Sequence, residues 1–359
     1  MNKNRAEKDL LPAGMSDGLP PYAGFEAHVS EALMAGFSRR GYERVKPPLI
    51  EFEDSLLSGN GAAMASRAFR LMDPVSEKML GIRPDMTPQV SRIATTRLEK
   101  APRPLRLSYT GQVLRVKGSQ LSPERQFGQA GAELIGARGP KADAEVIVMA
   151  AIALKALGIN GLSVDLCLPR LVPAITAPLP LDEETQDMLR RALDRKNATD
   201  LSVLKEKLGP AFAPLSALLT AGGTAGEALE KLAAIDLPAD ARAACSRLKD
   251  VIDLIGDDAP DLLITVDPVE NRGFEYHTGV TFAFFAKGVR GELGRGGRYL
   301  AGNGEPATGV SLFMDSVLRA LPTPNNTGRR LFLPSETDEE TARRLRHEGW
   351  ITVMDLNKT

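Results

Sequence analysis

The sequence predicts an α+β protein in which an antiparallel sheet is flanked by helices, with a helical insertion and a short C-terminal α/β segment. Three observations support this fold class. Residues 105–115 and 125–135 alternate apolar and polar side chains, as half-buried paired strands do. Residues 181–256 instead form short amphipathic helical patterns separated by Gly and Pro breaks. Residues 328–359 read as strand, helix and strand.

Length and composition narrow the class of protein. A chain of 359 residues is long enough for about two domains, and we expect one over residues 1–321 and a short second one over 322–359. A formal net charge of -1 disfavours tRNA binding, which usually needs a basic face. No run approaches the ~20 apolar residues of a membrane-spanning helix, so we expect a cytoplasmic protein with no membrane partner.

The cysteines and histidines suggest neither a metal site nor a cofactor. Cys167 and Cys245 lie far apart, with no CxxC pair and no Cys/His cluster. We expect them to be free thiols in a reducing compartment. Two of the three histidines, His28 and His347, fall in helical and solvent-facing patterns.

The N-terminal region predicts a helix followed by a strand at an edge. Apolar residues recur at four-residue spacing in a helix over Tyr22–Arg40, which Gly41 ends. The segment Tyr42–Phe52 is strand-like, but Pro47 and Pro48 cannot donate to a ladder. We therefore expect an edge strand or an interface there.

A hairpin and two helices frame the central strands. Phe69–Met72 and Lys78–Ile82 predict the hairpin, and Pro88–Lys100 predicts a helix that Thr87 would cap. Asp143–Leu157 is apolar nearly all round, which indicates a helix buried in the core.

The central hairpin places polar side chains on one face. Its loop, residues 118–123, is polar and rich in helix and strand breakers. If the strands pair in register, Arg115, Gln129 and Glu133 face the same side and surround one small site.

Further strands are predicted along the second half of the chain. They are Leu162–Leu168, Leu262–Asp267, which reads as buried, and Gly279–Phe285. Arg290–Tyr299 is rich in Gly and Arg but lacks the Gly-Lys-Ser/Thr ending of a phosphate loop, so we place its arginines in a turn. Gly309–Leu321 predicts a helix. The helical insertion carries no basic stripe, and we interpret it as a packing or partner surface.

Four segments resemble the class II aminoacyl-tRNA synthetases, and in particular the histidyl-tRNA synthetase family. The hairpin resembles motif 2 of these enzymes. Arg83–Thr87 is similar to an Arg-Pro-Glu-Gly-Thr segment, Arg272–Tyr276 to the histidine-specific Arg-Gly-Leu-Asp-Tyr, and Gly296–Tyr299 to the sheet segment before motif 3. Tyr42–Phe52 resembles motif 1. The resemblance implies a class II fold and a homodimer formed through the motif 1 region.

Two departures from the synthetase pattern fall on ATP contacts. Motif 2 of a working synthetase has Arg-x-Glu where this chain has Arg115-Val116-Lys117, and motif 3 ends in Arg where this chain has Ser316. Losing two charge-assisted contacts removes about 3–6 kcal/mol of ATP-binding free energy, which lowers ATP affinity about 10²- to 10⁴-fold. Residues 328–359 are also too short for an anticodon-binding domain. These features resemble the noncatalytic branch of the family, the regulatory subunits of ATP phosphoribosyltransferase.

The resemblance also implies a site for histidine. Asp85 and Thr87 would hold the ammonium, and Glu133 would accept from an imidazole N–H. The carboxylate would bind Arg115, Gln129 and Arg272. Tyr276, His277 and Tyr299 would line the imidazole pocket. For any one of these residues alone, an internal contact such as an Arg115–Glu133 ion pair is the simpler interpretation.

The function that the resemblance implies is regulatory. Such a subunit would bind histidine, and it would be required for the activity and feedback inhibition of the short-form catalytic subunit of ATP phosphoribosyltransferase. It would do so in a hetero-oligomer, commonly an octamer, at the first step of histidine biosynthesis. Two alternatives stay open: a divergent histidine-activating aminoacyl ligase, and a stand-alone histidine sensor.

Overall fold

The computed structural model describes residues 10–118, 123–270, 276–322 and 329–356. The strands, in chain order, are β1 (Glu43–Arg44), β2 (Ile50–Phe52), β3 (Phe69–Met72), β4 (Met79–Ile82), β5 (Leu105–Leu114), β6 (Gln126–Ile135), β7 (Leu162–Cys167), β8 (Gly223–Thr224), β9 (Leu263–Val266), β10 (His277–Ala286), β11 (Gly294–Leu300), β12 (Pro306–Phe313), β13 (Arg330–Leu333) and β14 (Ile351–Met354). The helices are α1 (Tyr22–Ser38), α2 (Glu53–Leu56), α3 (Thr87–Thr96), α4 (Pro140–Ala156), α5 (Leu171–Thr176), α6 (Glu183–Asp194), α7 (Ala198–Val203), α8 (Lys205–Leu208), α9 (Phe212–Leu218), α10 (Ala225–Ala234), α11 (Ala239–Asp258), α12 (Met314–Arg319) and α13 (Glu339–His347).

The chain divides into two compact units. The larger comprises Met1–Asp17 and Glu26–Leu321, and the smaller comprises Gly18–Phe25 and Pro322–Thr359. In the described ranges, no helix has both the length and the apolar character needed to cross a membrane.

A mixed sheet organises the larger unit. Within the described residues it has nine strands, in the order β1-β5-β6-β12-β11-β10-β7-β9-β8. Neighbouring strands are antiparallel except for the pairs β1–β5 and β7–β9, which are parallel. Helices flank the sheet, which confirms the predicted fold class. The central hairpin is confirmed as well, with β5 and β6 in register from Leu105↔Ile135 to Leu114↔Gln126.

Strand β6 is buried on both faces, whereas its alternating sequence predicted a half-buried strand. Every residue from Phe127 to Ile135 is buried. The reason is that α4 and α3 both contact this strand, so its polar residues Gln129 and Glu133 are enclosed by protein instead of facing water.

The predicted strand Tyr42–Phe52 is instead two short strands in two sheets. Strand β1 is the edge of the large sheet, beside β5, and β2 joins a separate three-stranded sheet in the order β2-β4-β3. The break falls at Pro47 and Pro48, which lack the N–H that a continuous ladder would need. The hairpin predicted from residues 69–72 and 78–82 is confirmed as β3 and β4.

Three further predictions from local sequence were wrong. Residues 309–313 extend β12 and only Met314–Arg319 is helical, because β12 is paired on both sides, with β6 and β11. Arg295 and Arg298 lie within β11 and not in a turn. Strand β9 is not buried: Leu263 is 55% exposed, since β9 lies next to the two-residue strand β8 at the end of the sheet.

The helical insertion is confirmed, with details that periodicity missed. Between residues 181 and 256 the structure has six α-helices, α6 to α11, and also the two-residue strand β8, which the helical pattern did not indicate. Local capping explains two of the boundaries. Asp182 accepts from the backbone N–H of Thr185 at the start of α6, and Thr224 with Glu227 forms a capping box at α10.

In the smaller unit, residues 330–354 form the predicted strand, helix and strand. Strands β13 and β14 pair in parallel, from Arg330↔Ile351 to Leu333↔Met354. Helix α13 begins where the Asp338 side chain accepts from the backbone N–H of Thr341.

Candidate functional site

The register of β6, β12 and β11 sets side chains in rows across one face of the large sheet. The first row contains Glu133, Gly309 and Gly297. The next row on the same face contains Gly131, Ser311 and Arg295. Because alternate residues of a strand share a face, the two rows are about 6.7 Å apart.

The glycines of the first row allow close approach. A Cβ at Gly309 would overlap the Glu133 carboxylate, and one at Gly297 would lie 2.8 Å from Cδ2 of His277. Any other residue would therefore push these two side chains away from the sheet. The absence of side chains here leaves space above the first row.

That space is a cavity of about 360 Å³, including its open mouth. Six predicted site residues line it: Asp85, Thr87, Glu133, Tyr276, His277 and Tyr299. The other lining residues are Arg295, Gly296, Gly297, Gly309, Ser311 and Phe313. The structure thus brings most of the predicted site together around one cavity.

One polar group of the cavity is built around Glu133. The Tyr109 hydroxyl donates to Oε1 at 3.1 Å and the Tyr299 hydroxyl donates to Oε2 at 2.8 Å. Burial disfavours the charged carboxylate and raises the pKa of Glu133 to about 8. Burial also raises the pKa of Tyr109 and of Tyr299, and the nearby charge of Glu133 raises both further. The two hydroxyls therefore remain protonated and act as hydrogen-bond donors.

Aromatic rings form the wall beside Glu133. The rings of Tyr276 and His277 stack at a centroid distance of 4.4 Å, and Tyr276 meets Tyr299 edge-on at 6.1 Å. His277 is only 6% exposed, whereas His28 and His347 are exposed as predicted. A flat, partly polar ligand ring would fit against such a wall.

Asp85 and Thr87 form a second polar group along the cavity. Thr87 Oγ1 lies 3.1 Å from the Tyr109 hydroxyl. Thr87 does not cap α3 as predicted, because it is the first residue of the helix and its hydroxyl is directed to Tyr109. The helix has no side-chain cap at its N-cap residue Met86; Asp85 Oδ1 instead accepts from the backbone N–H of Thr87, the first residue of the helix, at 2.9 Å.

Gln129 supports the cavity without lining it. Its Nε2 donates to Asp85 Oδ1 at 3.1 Å and to Ser311 Oγ at 2.7 Å. Its Oε1 accepts from the backbone N–H of Met86 at 3.0 Å. Since its side-chain amide is engaged within the protein and it is fully buried, Gln129 positions Asp85 and Ser311 in this structure.

Arg115 is also set back from the cavity. Its guanidinium carbon lies 4.7 Å from the ring centroid of Phe127 and 5.7 Å from that of Phe313, and its side chain does not line the cavity. Burial lowers its pKa. The hydroxyls around Glu133, and not Arg115, supply the hydrogen bonds to that carboxylate. Arg272 lies outside the described residues.

The structure adds three residues that sequence reasoning missed: Tyr109, Ser311 and Arg295. The parity of β5 places Tyr109 on the same face as Gly131, so its position was readable from the hairpin. Ser311 and Arg295 depend on the pairing of β12 with β11, which no local pattern displays.

The two positions that the resemblance places at an ATP site, Lys117 and Ser316, are not among the residues around the cavity. Lys117 is exposed after β5. Ser316 is buried in α12, where its Oγ accepts from Nη2 of Arg319 at 2.9 Å. Neither side chain lines the cavity.

One group of potential metal ligands lies elsewhere in the larger unit. Asp165, Cys167 and Glu270 bring ligand atoms within 4.8 Å of one another. Asp165 already accepts from Thr265 Oγ1 at 2.7 Å. The three residues do not line the cavity, and we assign no ion to them. Neither Cys167 nor Cys245 takes part in a disulfide.

Comparison with known proteins gives a consistent picture. The family model described as histidyl-tRNA synthetase matches residues 14–317. The chain is 58% identical to an ATP phosphoribosyltransferase regulatory subunit of Paramagnetospirillum magneticum, over 98% of this chain and 92% of that protein. It is 55% identical to the protein of that name from Rhodospirillum centenum, over 97% and 89%.

A solved structure extends the likeness to three dimensions. It is an ATP phosphoribosyltransferase regulatory subunit/histidyl-tRNA synthetase from Bacillus halodurans, which superposes with a TM-score of 0.84 at 26% identity and covers 98% of this chain and 94% of that one. Sequence, family model and fold agree over nearly the whole length. The chain therefore belongs to the histidyl-tRNA synthetase-like family of ATP phosphoribosyltransferase regulatory subunits.

Proposed function

We propose that this chain is a noncatalytic subunit that binds histidine in the cavity and is required for the activity and feedback inhibition of the short-form ATP phosphoribosyltransferase catalytic subunit. The observation that carries the proposal is the pairing of two chemically different polar groups in one cavity. Glu133 and its tyrosines form one polar group, and Asp85 with Thr87 forms a second group that adjoins it through Tyr109.

The Glu133 group suits an imidazole. A carboxyl group with a pKa of about 8 and an imidazole with an ordinary pKa of about 6.5 can share one proton across a short hydrogen bond. The stacked rings of Tyr276 and His277 provide a flat surface for the ligand ring.

The second group suits an α-ammonium. Asp85 and Thr87 offer oxygen acceptors beside the cavity. A buried ammonium without such partners would cost several kcal/mol. Gln129 acts here by holding Asp85, which revises its role from a direct carboxylate ligand to a positioning residue.

Loss of synthetase chemistry is part of the proposal. Lys117 places a cation where ATP-binding relatives have an acid, and Ser316 offers a hydroxyl already engaged by Arg319. We therefore expect no ATP-dependent activation of histidine. Pyrophosphate exchange by the isolated chain is the direct test, and measurable histidine-dependent exchange would favour the aminoacyl ligase alternative.

We further propose that two copies associate through the three-stranded sheet near motif 1. One face of this sheet carries Ile50, Phe52, Phe69, Leu71, Leu80 and Ile82. Phe52 is 47% exposed and Ile50 is 38% exposed, an exposure typical of an interface in a single copy. On the opposite face, the chain's own Leu56 lies against Gly81.

Sedimentation equilibrium tests the homodimer. Phe52→Glu should convert a dimer into a monomer. Met72→Glu is the matched control, because Met72 is 58% exposed but points to the other face of the same sheet. A dimer that survives Phe52→Glu, or that Met72→Glu also dissociates, would contradict this assignment.

The decisive experiment for the function is enzymatic. The short-form catalytic subunit from the same source is assayed with and without this chain, across a histidine titration. We expect the chain to activate the enzyme, histidine to suppress the activated rate, and the two chains to form a hetero-oligomer, with an octamer as the expected mass. Activation that histidine leaves unchanged would instead indicate a regulator without histidine feedback.

A further inference from the structure

We propose that Arg295 is the specificity-determining residue that binds the carboxylate of the ligand in this cavity. The inference rests on the proposed binding of histidine and adds a residue that the resemblance did not indicate. It assigns to the β11 strand, and not to Arg115 of the hairpin, the side chain that distinguishes an amino acid from an imidazole amine or alcohol.

The two rows are spaced so that one histidine can reach both of them. An imidazole held beside Glu133 lies over the glycine row of Gly309 and Gly297. The second row, with Ser311 and Arg295, is about 6.7 Å further along the strands. In extended histidine the far ring nitrogen and the carboxylate oxygens are about 6 Å apart. The α-carbon groups of the ligand therefore reach the second row.

Acidic and basic side chains lie on opposite sides of the second row. Thr87 lies within 3.1 Å of Tyr109, which pairs with Gly131 in that row, and Asp85 lines the cavity close by. The acidic side of the row thus comes from α3 and the residues before it. Arg295 enters from β11, on the other side of Ser311. A zwitterion placed over this row has its ammonium beside Asp85 and its carboxylate beside Arg295.

Arg295 is held in place and reaches the cavity. Its guanidinium carbon lies 5.5 Å from the ring centroid of Phe313, and it forms an ion pair with Glu292. Its side chain is 24% exposed and lines the cavity. A guanidinium has five N–H donors, so an ion pair with Glu292 is compatible with a second carboxylate. Arg115, by contrast, does not line the cavity.

Calorimetric titration of the full chain with two ligands tests the assignment. L-Histidine and L-histidinol share the imidazole and the ammonium, but histidinol has a hydroxymethyl group in place of the carboxylate. We expect the wild type to bind histidine more tightly. Arg295→Ala should weaken histidine binding about 10- to 100-fold and leave histidinol binding unchanged. Arg295→Lys keeps the charge without the planar fork, and should give an intermediate loss.

Two further variants complete the design. Arg290→Ala removes an exposed arginine from the loop before β11 and should change neither affinity. Arg115→Ala should leave the preference for histidine over histidinol intact. Thermal unfolding of each variant confirms that it is folded before titration.

The outcomes separate the inference from the function on which it rests. If Arg295→Ala weakens both ligands equally, or if Arg115→Ala alone abolishes the preference, the assignment to Arg295 is overturned while histidine binding stands. If the wild type binds neither ligand, the proposed function fails and the inference fails with it.

Discussion

Replacing Glu133 with Gln should change the pH dependence of stability in a direction fixed by burial. The pKa of Glu133 is raised from 4.5 to about 8 in the folded chain because the carboxyl group is fully buried. A raised pKa favours the folded state while the group is protonated. Its contribution is therefore complete below the unfolded pKa and is lost as the pH rises through about 8.

The magnitude follows from the two pKa values. At about pH 5, ionisation in the unfolded chain disfavours folding by about 1 kcal/mol, and at about pH 9 by about 5 kcal/mol. Wild type should therefore lose about 4 kcal/mol relative to Glu133→Gln over this interval. That is a large share of the 5–15 kcal/mol by which domains are typically stable.

Urea unfolding of both proteins at the two pH values measures this difference. The hydrogen bonds from Tyr109 and Tyr299 that the variant alters add the same offset at each pH, so only the change with pH is used. A wild-type minus variant difference that is equal at both values would refute the reasoning.

Glu145→Gln is a control, because the pKa of Glu145 is shifted in the opposite direction to that of Glu133. Burial acts to raise the pKa of Glu145, but the hydrogen bond and charge of Arg106 outweigh it and lower the pKa. Its contribution to stability is complete above the unfolded pKa of 4.5 and is lost as the pH falls through the lower folded pKa, so it should change little between about pH 5 and about pH 9 and decrease only in more acidic solution.

Three further predictions use the same sites. Gly309→Ala should lower the free energy of unfolding in urea by about 1–3 kcal/mol and weaken histidine binding in calorimetry, because the added Cβ overlaps the Glu133 carboxylate. The control Gly226→Ala adds a Cβ where nothing lies within 4 Å, and it should change stability by less than about 1 kcal/mol. Asp143→Ala should lower the free energy of unfolding by about 3–5 kcal/mol, since Asp143 is 1% exposed and its removal leaves Arg298 without its carboxylate. A change in unfolding free energy no larger than that of Gly226→Ala would contradict this prediction. Histidine affinity by calorimetry should be highest between about pH 6.5 and 8 and fall on both sides, because binding releases a proton below this interval and takes one up above it; a flat profile would exclude proton sharing with Glu133.

Much of the site was readable from the chain because its residues sit at fixed positions in local elements. Glu133 is on the second strand of a hairpin, Asp85 and Thr87 immediately precede and begin a helix, and Tyr276 and His277 begin a strand. Their chemistry follows from residue type, and their common face follows from strand parity. The resemblance to the synthetase family then linked them to one ligand.

Other predictions failed where neighbouring elements overrode local preference. The segment 309–313 has a helical pattern, yet strand pairing on both sides makes it part of β12. Thr87 has the chemistry of a helix cap, yet it is the first residue of the helix and the buried Tyr109 hydroxyl lies within hydrogen-bonding distance of its side chain.

Alternation, breakers and residue type are local properties, so they predict the fold class, the central hairpin and the chemical identity of most groups around the cavity. Which of those groups meet depends on tertiary packing. The register of β12 against β6 and β11 brings Glu133 beside Gly309 and places Arg295 one row away. These strands are distant in the chain, so their pairing depends on the packing of the whole sheet. The same packing directs Gln129 inward, where its amide bonds are satisfied by protein.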